Sequence, residues 1–100
     1  MENNIYKYRT IEEYNNLVKK FRKNEPSAIK ELYKEGIWWS ILVSQKYVEI
    51  SQPLENVVIV AFSGWLKAIE HYQLGKNYKL STYATWWIRN EICKAFNILP

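Results

Sequence analysis

Aromatic, amide and thiol side chains recur at spacings of three and four near the end of the chain, at Tyr83, Trp86, Asn90, Cys93 and Asn97. On an α-helix that spacing lines one face. Arg89 and Lys94 flank it, and Lys76 and Lys79 lie in the segment just before. Rings, hydrogen-bonding groups and cations on one surface are what an unstacked nucleic-acid strand requires. A base stacked on a ring gains about 1–3 kcal/mol, and cations hold the phosphates. A plainer reading uses the same residues: paired tryptophans pack into cores, and basic loops face solvent. Pattern alone leaves both open.

Little else in the chain has reactive chemistry. His71 stands alone, which favours a packed or surface histidine over a metal ligand. Glu12 and Glu13 are accounted for by a helix start. The single cysteine, Cys93, excludes an internal disulfide and a cysteine-rich zinc site. With no nucleophile–base pair, phosphate-cradling glycine loop or metal cluster in view, the expectation is a binding protein: not an enzyme, with no cofactor and no metal.

Length and composition agree with that expectation. One hundred residues make one domain, 1–100, with 1–9 expected as a flexible arm. Aromatic residues reach 16%, including five Trp and eight Tyr, more than a core this small hides. The net charge of +4 and pI near 9.2 suit a polyanionic partner. No apolar run approaches the roughly 20 residues of a membrane span. The opening MENNIYKYRT lacks the pattern of a signal peptide. A soluble protein of a reducing cytosol is the expectation.

Three Gly and three Pro interrupt the sequence, and all-α is the natural fold class. Thr10-Ile11-Glu12-Glu13 reads as a capping box that opens a first helix with Ile11, Tyr14, Leu17, Val18 and Phe21 inward. Asn24 to Ser27 closes it. A second helix is expected from Ser27 to Val48, with Ile29, Leu32, Tyr33, Gly36, Ile37 and Ile41 on its inner face. After Ser51-Gln52-Pro53, a third helix runs from Leu54 to Tyr72 with Leu54, Val57, Val58, Ala61, Gly64, Trp65, Ala68 and Ile69 inward. Gln73 to Leu80 forms a loop. Ser81 caps the last helix, which turns Ala84, Ile88, Ile92 and Ala95 inward. The expected architecture is a compact bundle of about four helices.

The stretch Tyr78-Lys79-Leu80-Ser81-Thr82-Tyr83-Ala84-Thr85-Trp86-Trp87-Ile88-Arg89 resembles the most distinctive segment of the sigma-70 family, in its conserved region 2. The likeness extends through Gly64–Ala68 and Tyr72–Lys79 and, less closely, over Leu17–Tyr47. It implies the fold of sigma domain 2 and a role in recognising and melting the promoter −10 element. Tyr83 would stack on a flipped adenine of the non-template strand, with Tyr72, Lys76 and Trp86 completing its pocket. Family members usually carry Phe and Arg where Tyr72 and Lys76 stand, so ring and charge survive but the planar fork does not. Trp86 and Trp87 would buttress the duplex edge. Lys79, Thr82 and Arg89 would contact the strand or its backbone. Lys94 belongs to the same cationic surface. Asn90 and Cys93 occupy positions that meet the base pair upstream of the flipped base. Asn can pair with adenine there, whereas Cys is a weak donor. The implied partners are promoter DNA and RNA polymerase core, in the cytoplasm of a bacterium whose gene could be carried by a phage or plasmid.

The likeness breaks down in two places. Family members dock on polymerase through acidic and amide residues of the third helix. Here the matching residues are Asn56, Ile59, Val60 and Phe62, and Asn56, Ile59, Ser63 and Leu66 lie opposite the inward stripe. That face has become apolar. It implies a helix buried on both sides, or an altered polymerase partner or further protein on the patch. Second, no helix-turn-helix for the −35 element follows. The chain is expected to be an excised fragment or a free-standing region 2 working with a separate subunit. The competing class is a protein-interaction module or regulator that uses the Ile59/Val60/Phe62 face and no longer binds DNA.

Overall fold

The computed structural model describes residues 5–47 and 52–98. Four helices, α1 (Ile11–Arg22), α2 (Pro26–Ser44), α3 (Leu54–His71) and α4 (Leu80–Ala95), are joined by loops and by 3-10 turns at Ile5–Tyr8 and Gln45–Tyr47. There is no strand among the described residues, so the all-α expectation holds.

α1 starts at the capping box read from the sequence. The Thr10 hydroxyl accepts from the Glu13 N–H at 3.0 Å, and the Glu13 carboxylate accepts from the Thr10 N–H at 2.7 Å. That backbone bond holds the Glu13 carboxyl below its ordinary range. Tyr14 and Val18 are buried, with Leu17 and Phe21 packed beside the core.

α2 keeps Leu32 and Gly36 of its expected inner face and departs from the rest. Its buried residues are Ala28, Leu32, Glu35, Gly36, Ser40, Val43 and Ser44, while Tyr33, Ile37 and Ile41 are exposed. The inner face has no side chain at Gly36 because Trp65 of α3 occupies the space against it. A β-carbon on Gly36 would come within 2.3 Å of the Trp65 ring, and the Trp65 indole N–H donates to the Leu32 carbonyl at 2.9 Å. α2 also starts one residue early, with Pro26 in its first turn, and ends at Ser44. The expected end, Val48, lies outside the described residues, as does Ser51.

The buried Glu35 ties the N-terminal segment down. Its carboxylate accepts from the Tyr14 phenol and from the Trp39 indole N–H. Arg9 Nε lies 3.0 Å from it in an ion pair without hydrogen-bond alignment. Arg9 also reaches Glu31 at 3.4 Å, and Tyr6 packs on Trp38 with ring centroids 5.6 Å apart. Residues 5–9 of the expected arm are thus laid on α1 and α2.

α3 buries Val57, Ala61, Gly64, Trp65, Ala68 and Ile69, close to the expected stripe. Leu54, in its first turn, is exposed, and Val58 is half-buried. The Arg22 guanidinium closes its C-terminal end, donating to the carbonyls of Ile69 at 2.9 Å and Tyr72 at 2.6 Å. α4 buries Leu80, Ser81, Ala84, Ile88, Ile92 and Cys93. Two expectations about α4 are corrected. Its N-cap is Lys79, with Ser81 inside the first turn, and Ala95 is exposed because the last turn extends past the core. α3 and α4 share the largest helix–helix contact in the molecule. Gly64 makes their close approach possible: a β-carbon there would sit 2.7 Å from the Ile88 Cα and 2.9 Å from the Trp87 carbonyl oxygen.

Candidate nucleic-acid interface

With Ala84, Ile88 and Ile92 held against α3, the remaining sides of α4 carry the predicted residues. Thr82, Trp86, Arg89 and Lys94 are exposed, and Tyr83, Trp87 and Asn90 are half-buried. Lys76 is exposed in the loop before α4, next to Gly75, whose φ of +83° makes the turn. Lys79 is half-buried and donates from Nζ to the Lys7 carbonyl at 3.0 Å, joining the N-terminal segment to the start of α4.

The rings form one continuous cluster. Tyr78 and Tyr83 are 5.6 Å apart, Tyr83 meets Trp87 edge-on at 6.3 Å, and Trp86 meets Trp87 edge-on at 5.3 Å. His71 stacks on Trp87 at 4.7 Å with an interplanar angle of 18°. Trp86 is 59% exposed, a large open ring at the outer end of the cluster. The Trp87 indole N–H is buried and has no acceptor among the described residues.

Two predicted contact residues are placed differently. Tyr72 is only 2% exposed. Its ring backs Tyr78 at 5.7 Å and Tyr83 at 6.2 Å, and its hydroxyl donates to the Tyr78 carbonyl at 2.8 Å. Burial raises its phenol above the ordinary value, with Tyr78 adding to the effect. Tyr72 is therefore the floor under Tyr83 and Tyr78. Cys93 is 7% exposed, because the face carrying Asn90 turns toward the core as α4 passes the 3-10 turn after α2. Asn97, the last of the predicted series, lies past the end of α4 with φ +60°.

Charges around the cluster are unequal. Glu91 receives Lys67 at 3.0 Å and Lys94 at 3.7 Å, so the Lys94 cation is partly compensated. Lys76 and Arg89 have no ion pair among the described residues. Exposed cations thus border the cluster at both ends of its run along α4.

The predicted partner face is narrower on α3 than its sequence implied. Ile59 is 68% exposed and Asn56 is exposed, but Val60, Phe62 and Leu66 are half-buried against the core. Phe62 meets Tyr33 of α2 edge-on at 5.3 Å. Ser63 turns its hydroxyl back to the Val60 carbonyl at 2.6 Å. The exposed apolar surface continues on α2, through Tyr33, Ile37 and Ile41.

The pattern that defines sigma-70 region 2 matches residues 43–97, from the end of α2 through the whole of α4. The chain belongs to the sigma-70 region 2 family. It is 31% identical over 84 residues to the RNA polymerase sigma factor SigA of Clostridium acetobutylicum, covering 84% of this chain and 22% of that protein. It is 28% identical over 79 residues to the sigma factor RpoS of Coxiella burnetii, covering 79% of this chain and 22% of the relative. The chain spans about a fifth of the length of these curated relatives.

This region 2 fold brings in residues that sequence reasoning passed over. Tyr78 lay inside the recognised motif, and its place between Tyr72 and Tyr83 gives it a structural role there. Lys46 and Tyr47 follow α2 and line a cleft with Trp86, Arg89, Asn90 and Cys93. No spacing links residues so far apart in sequence, and only helix packing could reveal them. No helix among the described residues is long and apolar enough to cross a membrane.

Proposed function

We propose that this region 2 domain acts in transcription initiation, binding a promoter −10 element and holding flipped bases of its non-template strand while docked on RNA polymerase. The carrying observation is the ring cluster Tyr78–Tyr83–Trp87–Trp86 at the surface, backed by buried Tyr72 and bordered by Lys76, Lys79 and Arg89. Extruding a base costs a few kcal/mol, and a preassembled ring platform offsets that cost once the base has left the duplex. Tyr83 offers the stacking surface and Tyr72 fixes its position from below. Trp86 and Trp87 face the duplex end where pairing stops. Thr82, Lys76, Lys79 and Arg89 meet the strand and its phosphates, and Asn90 meets the upstream base pair. The function is binding without catalysis, needs no metal or cofactor, and belongs to the bacterial cytoplasm, where polymerase and promoter meet. Recognition of a −35 element falls to a separate subunit or to sequence outside this segment.

A second reading has its own support. The exposed apolar residues Ile59, Tyr33, Ile37 and Ile41 suit a protein partner, and a regulator could use them without DNA. One experiment separates the two. Anisotropy of a labelled single-stranded −10 oligonucleotide is titrated with the chain in the presence of core polymerase. Promoter binding predicts a chain-dependent rise that Tyr83→Ala weakens roughly 5- to 150-fold, the equivalent of one lost stacking contact. A titration unchanged by the chain favours the regulator.

A further inference from the structure

The 3-10 turn Gln45–Tyr47 that follows α2 lies against the C-terminal half of α4. Between them runs an open cleft of about 490 Å³ lined by Lys46, Tyr47, Trp86, Arg89, Asn90 and Cys93. Its size falls within the range of about 300–1,000 Å³ that small-ligand sites occupy. Its described lining contains two cations, an amide, a phenol, a thiol and an exposed indole, and no carboxylate. Such a lining suits an anionic group beside a flat ring carrying hydrogen-bonding edges. Burial, with the Cys93 thiol beside it, holds the Tyr47 phenol above its ordinary value. Cys93 itself is nearly covered. Cys93 is the more deeply covered of the two, so the Tyr47 phenol, which can donate or accept a hydrogen bond, is the group nearer the opening.

We propose that Lys46 and Tyr47 are DNA-contact residues that extend the reading surface onto the upstream duplex, with Lys46 holding a phosphate and Tyr47, in place of Cys93, meeting the base edge beside Asn90. The proposal rests on the −10 reading above, since Trp86 and Asn90 belong to both. It adds specificity: the Tyr47 hydroxyl beside the Asn90 amide supplies a second hydrogen-bonding group for a base edge in the major groove.

The test compares two labelled probes bound by the full chain with core polymerase. One is a fork with upstream duplex and a single-stranded −10 non-template strand. The other is the single strand alone. Lys46→Ala is expected to weaken fork binding and to reduce the slope of log affinity against log salt by about one. Tyr47→Phe is expected to leave that slope alone. It should instead flatten a base preference on the order of tenfold at the pair upstream of the flipped position. Neither variant should change binding of the single strand, whereas Tyr83→Ala weakens both probes. If both variants bind the fork with wild-type slope and preference while Tyr83→Ala still weakens it, the role of Lys46 and Tyr47 is overturned and the −10 reading stands. If Tyr83→Ala also has no effect, the −10 reading has failed and this proposal fails with it.

Discussion

Arg9 Nε lies 3.0 Å from the carboxylate of Glu35, a residue with no exposed surface in the middle of α2. This pair joins the N-terminal segment to the helix that packs on Trp65, and Lys79 ties the same segment to the start of α4. The N-terminal segment therefore braces both the core and the candidate interface.

Removing the cation leaves a buried carboxylate with only neutral donors. Arg9→Ala is expected to cost about 3–5 kcal/mol at neutral pH, read by urea denaturation. Burial raises Glu35 above its ordinary 4.5 and outweighs the lowering by Tyr14, Trp39 and Arg9. The folded state thus holds the proton more tightly than the unfolded chain. That contribution to stability is full below pH 4.5 and is lost as pH rises through the raised value. Relative to Glu35→Gln, the wild type should lose stability over that window. Parallel stability–pH curves for the two proteins would contradict this.

Gly64 is where α3 touches the backbone of α4. Gly64→Ala places a β-carbon against Ile88 Cα and the Trp87 carbonyl, neither of which is a side-chain tip that can swing aside. The expected loss is about 1–3 kcal/mol or more, visible as a lower Tm. DNA affinity should fall as well, because the shift moves Trp86 and Trp87. Unchanged melting would show that the helices tolerate separation.

Tyr72 and Tyr83 are expected to respond differently. Tyr72→Phe keeps the buried ring and removes only its bond to the Tyr78 carbonyl, costing about 1 kcal/mol of stability with little change in DNA binding. Denaturation and anisotropy on the same preparation check both halves. A large binding loss with intact stability would return Tyr72 to direct contact with DNA.

Much of this was legible in the sequence. The capping box, the α3 stripe and the Ala84/Ile88/Ile92 seam follow from spacing, because one apolar face per helix is what a small bundle buries. The inner face of α2 was only partly legible, with Leu32 and Gly36 buried as expected, because its apolar residues go round the helix. Trp65 claims the side where Gly36 leaves room, and Tyr33, Ile37 and Ile41 are left outside. Helical periodicity put Cys93 and Tyr83 on one face, but the depth of each depends on what packs against it. Tyr47 lines the same cleft as Cys93 from 46 positions away, which no local pattern encodes.

The central claim is that Tyr83 holds a base taken from the duplex. A promoter fragment carrying 2-aminopurine at the flipped adenine position tests it directly, with core polymerase present throughout. Adding the chain should raise 2-aminopurine fluorescence as the base unstacks. Tyr83→Phe, which keeps the ring, should retain the rise, and Tyr83→Ala should lose it. No rise above polymerase alone, or an equal rise with Tyr83→Ala, would contradict the account.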